Sequence, residues 1–160
     1  MSLPRDLSTT SADDIQALVA ARTAEGTYLE FKRDLPRPDA GGRHEFLADV
    51  SAFANSSGGD LVYGIDEDGE GRATAVVAQP GNPDEEARRL QDVLLNGIES
   101  RVPGLQVQAV TVAGGFVVVV RAPQSWAGPH RVKNLSVNSK LASRAASCAA
   151  FGDADGQSAC

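Results

Sequence analysis

An α+β sandwich, with one mixed sheet and helices on one face, is the fold class this sequence predicts. Three observations predict it. Residues 27–65 read as strand, helix, strand; residues 84–100 read as a helix; and two apolar runs at 105–113 and 116–121 flank Gly114-Gly115, a two-residue hairpin turn. Strand, crossover helix and strand make a unit whose strands lie parallel, whereas the hairpin adds antiparallel strands, so the sheet is mixed.

Each element has a local cause. Ser11 and Asp14 have capping-box spacing, and Ile15, Leu18 and Val19 follow as an apolar stripe, predicting a first helix that ends before Gly26. Across 27–32, Leu29 and Phe31 alternate with Tyr28, Glu30 and Lys32, the period of a strand with Glu30 turned away from the core. Residues 34–42 hold Pro36, Pro38, Gly41 and Gly42 and read as a mobile loop. Phe46, Leu47, Val50, Phe53 and Ala54 then recur at helical spacing, and Gly58-Gly59 stops that helix. A second strand is predicted at 60–65, a turn at 66–71 and a hairpin arm at 72–77. The 84–100 helix opens on Asp84, Glu85 and Glu86 and buries Ala87, Leu90, Val93, Leu94 and Ile98. Val117 to Val120 is apolar throughout, as in a central strand buried on both sides.

At 160 residues the chain is expected to form one domain at 11–134, preceded by an extension at 1–10 and followed at 135–160 by a poorly ordered tail rich in Ala and Ser. A short helix at 140–150 is the one element that tail suggests. No apolar run approaches the roughly 18 residues of a membrane span and the start lacks a signal-peptide pattern, so no membrane association and a cytoplasmic location are expected. Cys148 and Cys160, both near the end, support neither a disulfide framework nor a four-ligand zinc site.

A net charge of −6 excludes loose coating of nucleic acid by a basic body. Local basic groups remain: Lys32, Arg33, Arg37 and Arg43, then Arg121, Arg131 and Lys133, which with Arg88 and Arg89 would make one positive rim, or simply solvated surface. Glu25 precedes the first strand, Glu30 lies near its end and Asp66 ends the second, so parallel pairing would bring Glu30 and Asp66 together. Like charges so placed need compensation, either a divalent cation on oxygen ligands or Lys32 in a structural ion pair.

Other motifs read as structure. Gly58-Gly59 follows a helix C-terminus rather than opening a helix, which weakens a phosphate loop and with it ATP binding. Asp66, Asp68, Glu70 and Gly71 begin like a calcium loop, but Val77 stands where a bidentate Glu is required. His44 and His130 have no partners suited to a hydrolase triad. Trp126, in a Pro- and Gly-rich connection, is expected to anchor its loop on the core, with stacking on a base the alternative.

Taken together, residues 28–32, Ala52-Phe53-Ala54-Asn55, Gly58-Gly59, Gly64-Ile65-Asp66 and Asp68-Gly69 resemble the Schlafen AlbA-type domain, over about residues 11–132. The resemblance implies an AlbA-like βαβαββ core and nucleic-acid binding, to RNA or DNA, through phosphate contacts from Lys32, Arg33, Arg37, Arg131 and Lys133. It also carries a label of ATP binding. In the Schlafen ribonucleases three acids act in metal-dependent RNA cleavage, and that pattern falls on Glu25, Glu30 and Asp66, implying a Mg- or Mn-dependent endoribonuclease as the alternative function. Those enzymes use a paired domain, for which a homodimer of this chain would substitute. After Pro129-His130-Arg131-Val132-Lys133 the family pattern continues with an aromatic- and arginine-bearing strand; residues 135–140 do not match it, implying a truncated or replaced end. A regulatory module that binds protein is the third reading, suggested by the acidic composition.

Overall fold

The computed structural model describes residues 2–133. Helix α1 spans Ala12–Ala20, β1 Leu29–Lys32, α2 Ala40–Asn55, β2 Gly58–Tyr63, β3 Ile65–Glu67, β4 Ala73–Val76, α3 Pro83–Gly97, β5 Ile98–Glu99, β6 Gln106–Val112, β7 Gly115–Pro123 and β8 Arg131–Val132. The central sheet runs β1-β2-β7-β6; β3 pairs with β4 and β5 with β8. β1 lies parallel to β2, while β2 and β6 are antiparallel to β7. With α2 and α3 as connections, the central sheet therefore has the expected βαβαββ order.

The caps follow the local chemistry. The Ser11 backbone N–H donates to the Asp14 carboxylate at 2.8 Å and the Asp14 N–H to the Ser11 hydroxyl at 3.3 Å, the reciprocal pair that opens α1. α2 begins earlier than its glycines suggest, because Asp39 caps it by accepting from the Gly42 N–H at 2.7 Å. Asn82 caps α3, with Pro83 in the first turn, where a missing N–H costs nothing.

The alternation along β2 and β7 divides the interior into two cores. Leu61, Tyr63, Phe116, Val118 and Val120 face α2 and α3, packing on Phe46, Leu47, Val50, Leu90 and Leu94. Val62, Val117 and Val119 face the other way, onto Ile15 and Leu18 of α1 and Phe31. Helices α2 and α3 thus share one face, as expected, but α1 covers the opposite one. A central strand as apolar as β7 exposes two greasy faces, and each needs a cover. The segment expected as a bare extension joins this second cover: Leu3 and Leu7 are both buried in it.

Among the described residues no helix is long and apolar enough to cross a membrane. The tail expected at 135–160, with its short helix, lies outside the described residues.

Candidate functional site

Gly64 decides where the acidic residues go. Its φ of +100° breaks the strand predicted to run through Ile65, so β2 ends at Tyr63 and Asp66 belongs to the separate β3–β4 hairpin rather than to the end of β2. Asp66 turns its carboxylate to its own neighbour, accepting from the Glu67 N–H at 3.2 Å. Glu25 is held from two sides: its N–H donates to the Gly71 carbonyl at 2.8 Å, and its carboxylate accepts from the Phe31 N–H at 2.6 Å. This places Glu25 beside Glu67 and within the field of Glu30. Partial burial, and then the carboxylates of Glu67 and Glu30, push its pKa up against the lowering effect of the Phe31 N–H.

Glu30 and Lys32 point to the α2 face. The Lys32 ammonium lies 2.7 Å from Glu30 and 3.5 Å from Asp49 of α2. Burial works to lower the Lys32 pKa, but hydrogen bonding to Glu30 and the charge of Asp49 outweigh it, and the net direction is up. Burial raises Asp49, the charges of Glu30 and Glu45 add to it, and Lys32 opposes them, with the net direction up. Among the described residues no three of His, Cys, Asp and Glu lie where they could hold a metal ion. Lys32 supplies the ion-pair compensation expected for Glu30.

A carboxyl whose pKa is raised by folding weakens the fold above that pKa and stops doing so as pH falls below its unfolded value. Glu25→Gln keeps an acceptor for the Phe31 N–H and removes the repulsion. It is expected to stabilise the domain at pH 7 by about 0.5 kcal/mol, the scale of partly screened charge pairs. Thermal unfolding across pH checks this: the difference should vanish below the ordinary Glu value of 4.5.

The predicted basic rim is split. Arg37 packs against the first turn of α2, where a Cβ on Gly42 would lie 2.7 Å from the Arg37 Cβ. At the other end Asn55 binds the backbone of His130, accepting from its N–H and donating to its carbonyl, both at 2.8 Å. The helix between, at 1.5 Å per residue, separates the Arg37 end from the Asn55–His130 end by roughly 20 Å. Arg121 belongs to neither group. Its guanidinium forks onto Asp60 with two contacts of 2.7 Å, and its third nitrogen donates to the carbonyls of Pro4 and Arg5. Arg89 is also occupied, by Glu86 and the Pro36 carbonyl.

Arg131 and Lys133 differ from these. Val132 between them packs toward the α2–α3 core, so strand alternation turns both cations outward. Among the described residues neither has an acidic partner within ion-pair distance. In the loop that precedes them Trp126 is 89% exposed, contrary to the expectation that it anchors its loop. The anchoring is done by backbone instead, through the Ser125 N–H donating to the Ala54 carbonyl at 2.9 Å and the Asn55–His130 pair. No sequence pattern signals that pair, which joins residues 75 apart.

These features define a small α+β domain in which Lys32, Arg89 and Arg121 are ion-paired, while Arg131 and Lys133, unpaired among the described residues, and an exposed aromatic follow β7. The profile described as "Schlafen, AlbA_2" matches residues 25–146, and the chain belongs to that family. No curated protein matches the chain. Among solved structures it is similar to the N-terminal domain of a protein from Nitrosomonas europaea related to the ATP-dependent DNA helicase RecG, at 24% identity and a TM-score of 0.56, covering 81% of this chain and 84% of that one. That likeness shows the same fold. The DIP2311 protein of Corynebacterium diphtheriae is 18% identical with a TM-score of 0.47, over 74% of this chain and 22% of its own.

Proposed function

We propose that this chain is a nucleic-acid-binding domain that grips phosphates of RNA or DNA. The observation that carries the reading is the outward pair Arg131 and Lys133, free of acidic partners among the described residues on a chain whose net charge is −6. Cations left unneutralised on an acidic body mark where a polyanion gains most. Membership of the AlbA_2 family and the helicase-related name of the structural neighbour support the same class. Arg33 and Arg37, the latter 3.6 Å from Asp39, form the secondary contact. Lys32 is already neutralised by Glu30 and Asp49 and contributes least of the five.

Anisotropy of end-labelled RNA and DNA oligonucleotides, titrated with protein at several salt concentrations, tests this. Affinity is expected to fall linearly on a log–log plot, and Arg131→Ala with Lys133→Ala to reduce the slope by about 1.4 for single strands or 1.8 for duplex. Absence of any salt-sensitive association at low ionic strength would overturn the reading and favour the protein-binding module.

A second reading, a Mg- or Mn-dependent endoribonuclease using Glu25, Glu30 and Asp66, has one observation in its favour: Glu25 lies close to both Glu30 and Glu67. The binding reading is preferred, and under it labelled tRNA stays intact with either ion. A product that disappears in Glu30→Gln and Asp66→Asn would reverse that preference.

A further inference from the structure

The structure points, we infer, to Trp126 as a stacking platform for an unpaired base, with Arg131 and Lys133 holding the adjoining phosphates, so that the preferred ligand is single-stranded rather than duplex nucleic acid. This inference rests on the nucleic-acid reading above and sharpens it.

The first support is how Trp126 is presented. At 89% exposure the indole forgoes the burial that a large aromatic ordinarily gains, although an apolar core lies within reach of its own loop. The loop is tied down on both sides. Ser125 donates to the Ala54 carbonyl, and the Ala127 N–H donates to the Ser125 hydroxyl at 3.3 Å. His130 is clamped by Asn55, and the His130 Nδ1 lies 2.7 Å from the Ser100 carbonyl, so it donates there and orients a ring that is only 2% exposed. An aromatic held outward by a fixed backbone loses little conformational freedom when a planar partner lands on it.

The second support is what surrounds it. Ala54 and Asn55 are consecutive residues of α2, and they tether Ser125 and His130 respectively. Trp126 and Arg131 each follow one of those tethers by one residue, and the five chain steps between them, at 3.8 Å each, keep their backbones within roughly 19 Å of each other. Arg101, exposed, lies one residue beyond the Ser100 carbonyl that receives His130, adding a third cation to this end of the molecule. Glu99 is cross-strand from Arg131, and the two make no ion pair. A second exposed ring, Tyr28, precedes β1 at the same end of the sheet, its carbonyl accepting from the Asp60 N–H beside the start of β2.

An aromatic ring among outward cations fits a ligand with π-faces and negative charge at short intervals. Single-stranded nucleic acid has both available at once, whereas a duplex hides the faces of its bases in the stack. Stacking of this kind tolerates any base, so sequence preference should be weak.

Trp126 is the chain's only tryptophan, which makes its emission a direct reporter. Oligodeoxythymidylate of about a dozen residues is expected to quench that emission, while a matched duplex leaves it nearly unchanged. Trp126→Ala should weaken single-strand binding measured by anisotropy about tenfold, the effect of losing one stacked base, and Trp126→Phe should restore part of it. Because the side chain is exposed, both variants should keep the wild-type melting temperature. Anisotropy that reports binding while Trp126 emission stays constant and Trp126→Ala binds normally would overturn the platform and leave the phosphate-binding reading intact. Equal quenching by duplex would overturn the preference for unpaired bases. No association in anisotropy with any oligonucleotide would overturn both readings together.

Discussion

Arg121→Ala is expected to lower the free energy of unfolding by about 3 kcal/mol, toward the low end of what breaking a buried ion pair costs. Arg121 and Asp60 face each other across β7 and β2, with side chains 21% and 14% exposed. Removing the guanidinium strands the Asp60 carboxylate in that half-buried site. It also frees the Pro4 and Arg5 carbonyls, loosening the segment that brings Leu3 and Leu7 over the second core. Urea unfolding measures the loss. Adding Asp60→Asn should recover part of it, because the stranded charge is then gone. Arg121→Lys should fall between wild type and Ala, since an ammonium keeps the charge but not the two-pronged fit. A loss under about 1 kcal/mol would mean that water reaches the pair freely.

Gly64→Ala is expected to cost a similar amount, about 3 kcal/mol, from backbone strain and overpacking together. The residue sits at φ +100°, which L side chains rarely adopt, and an added Cβ would lie 2.8 Å from the Val117 Cγ1 and 3.0 Å from the Val77 carbonyl. Val117 is fully buried and the carbonyl is backbone, so neither yields easily. Gly69→Ala is the control: a Cβ there meets nothing within 4 Å, and the change should stay within about 0.5 kcal/mol. The substitution also has a local readout. Shifting β3 would carry Glu67 away from Glu25, so the Glu25 carboxyl, followed by NMR, should titrate closer to its ordinary range than in the wild type.

Much of the fold was legible because its signals are local. The Ser11–Asp14 box, the apolar stripe from Phe46 to Ala54, and the Gly114-Gly115 turn each specify an element within a few residues, and each element forms as read. Boundaries failed where a side chain overrode composition. Asp39 starts α2 through a stretch that glycine content marks as loop, and Gly64 ends β2 inside a run whose apolar pattern continues. The short β5–β8 pair left no trace in the pattern, since two-residue strands have no period to detect.

The candidate site was less legible, for a different reason. Residue types named Glu25, Glu30, Asp66 and the scattered cations, but not which of them are free. Ion pairing separates Lys32, Arg89 and Arg121 from Arg131 and Lys133, and those partners lie on other elements. Trp126 was expected inside and lies outside, because its loop is held by backbone hydrogen bonds that no composition rule counts.

Element type, element order and the parallel pairing of β1 with β2 were thus set by periods and caps written into neighbouring residues. The division into two cores, the diversion of Asp66 into a hairpin, the pairing of acids with bases, and the end of α2 where cations and an exposed indole gather came from long-range packing. Hydrophobic period and capping act over one or two turns of chain, whereas charge compensation and exposure depend on which distant segments meet, and folding alone brings those together.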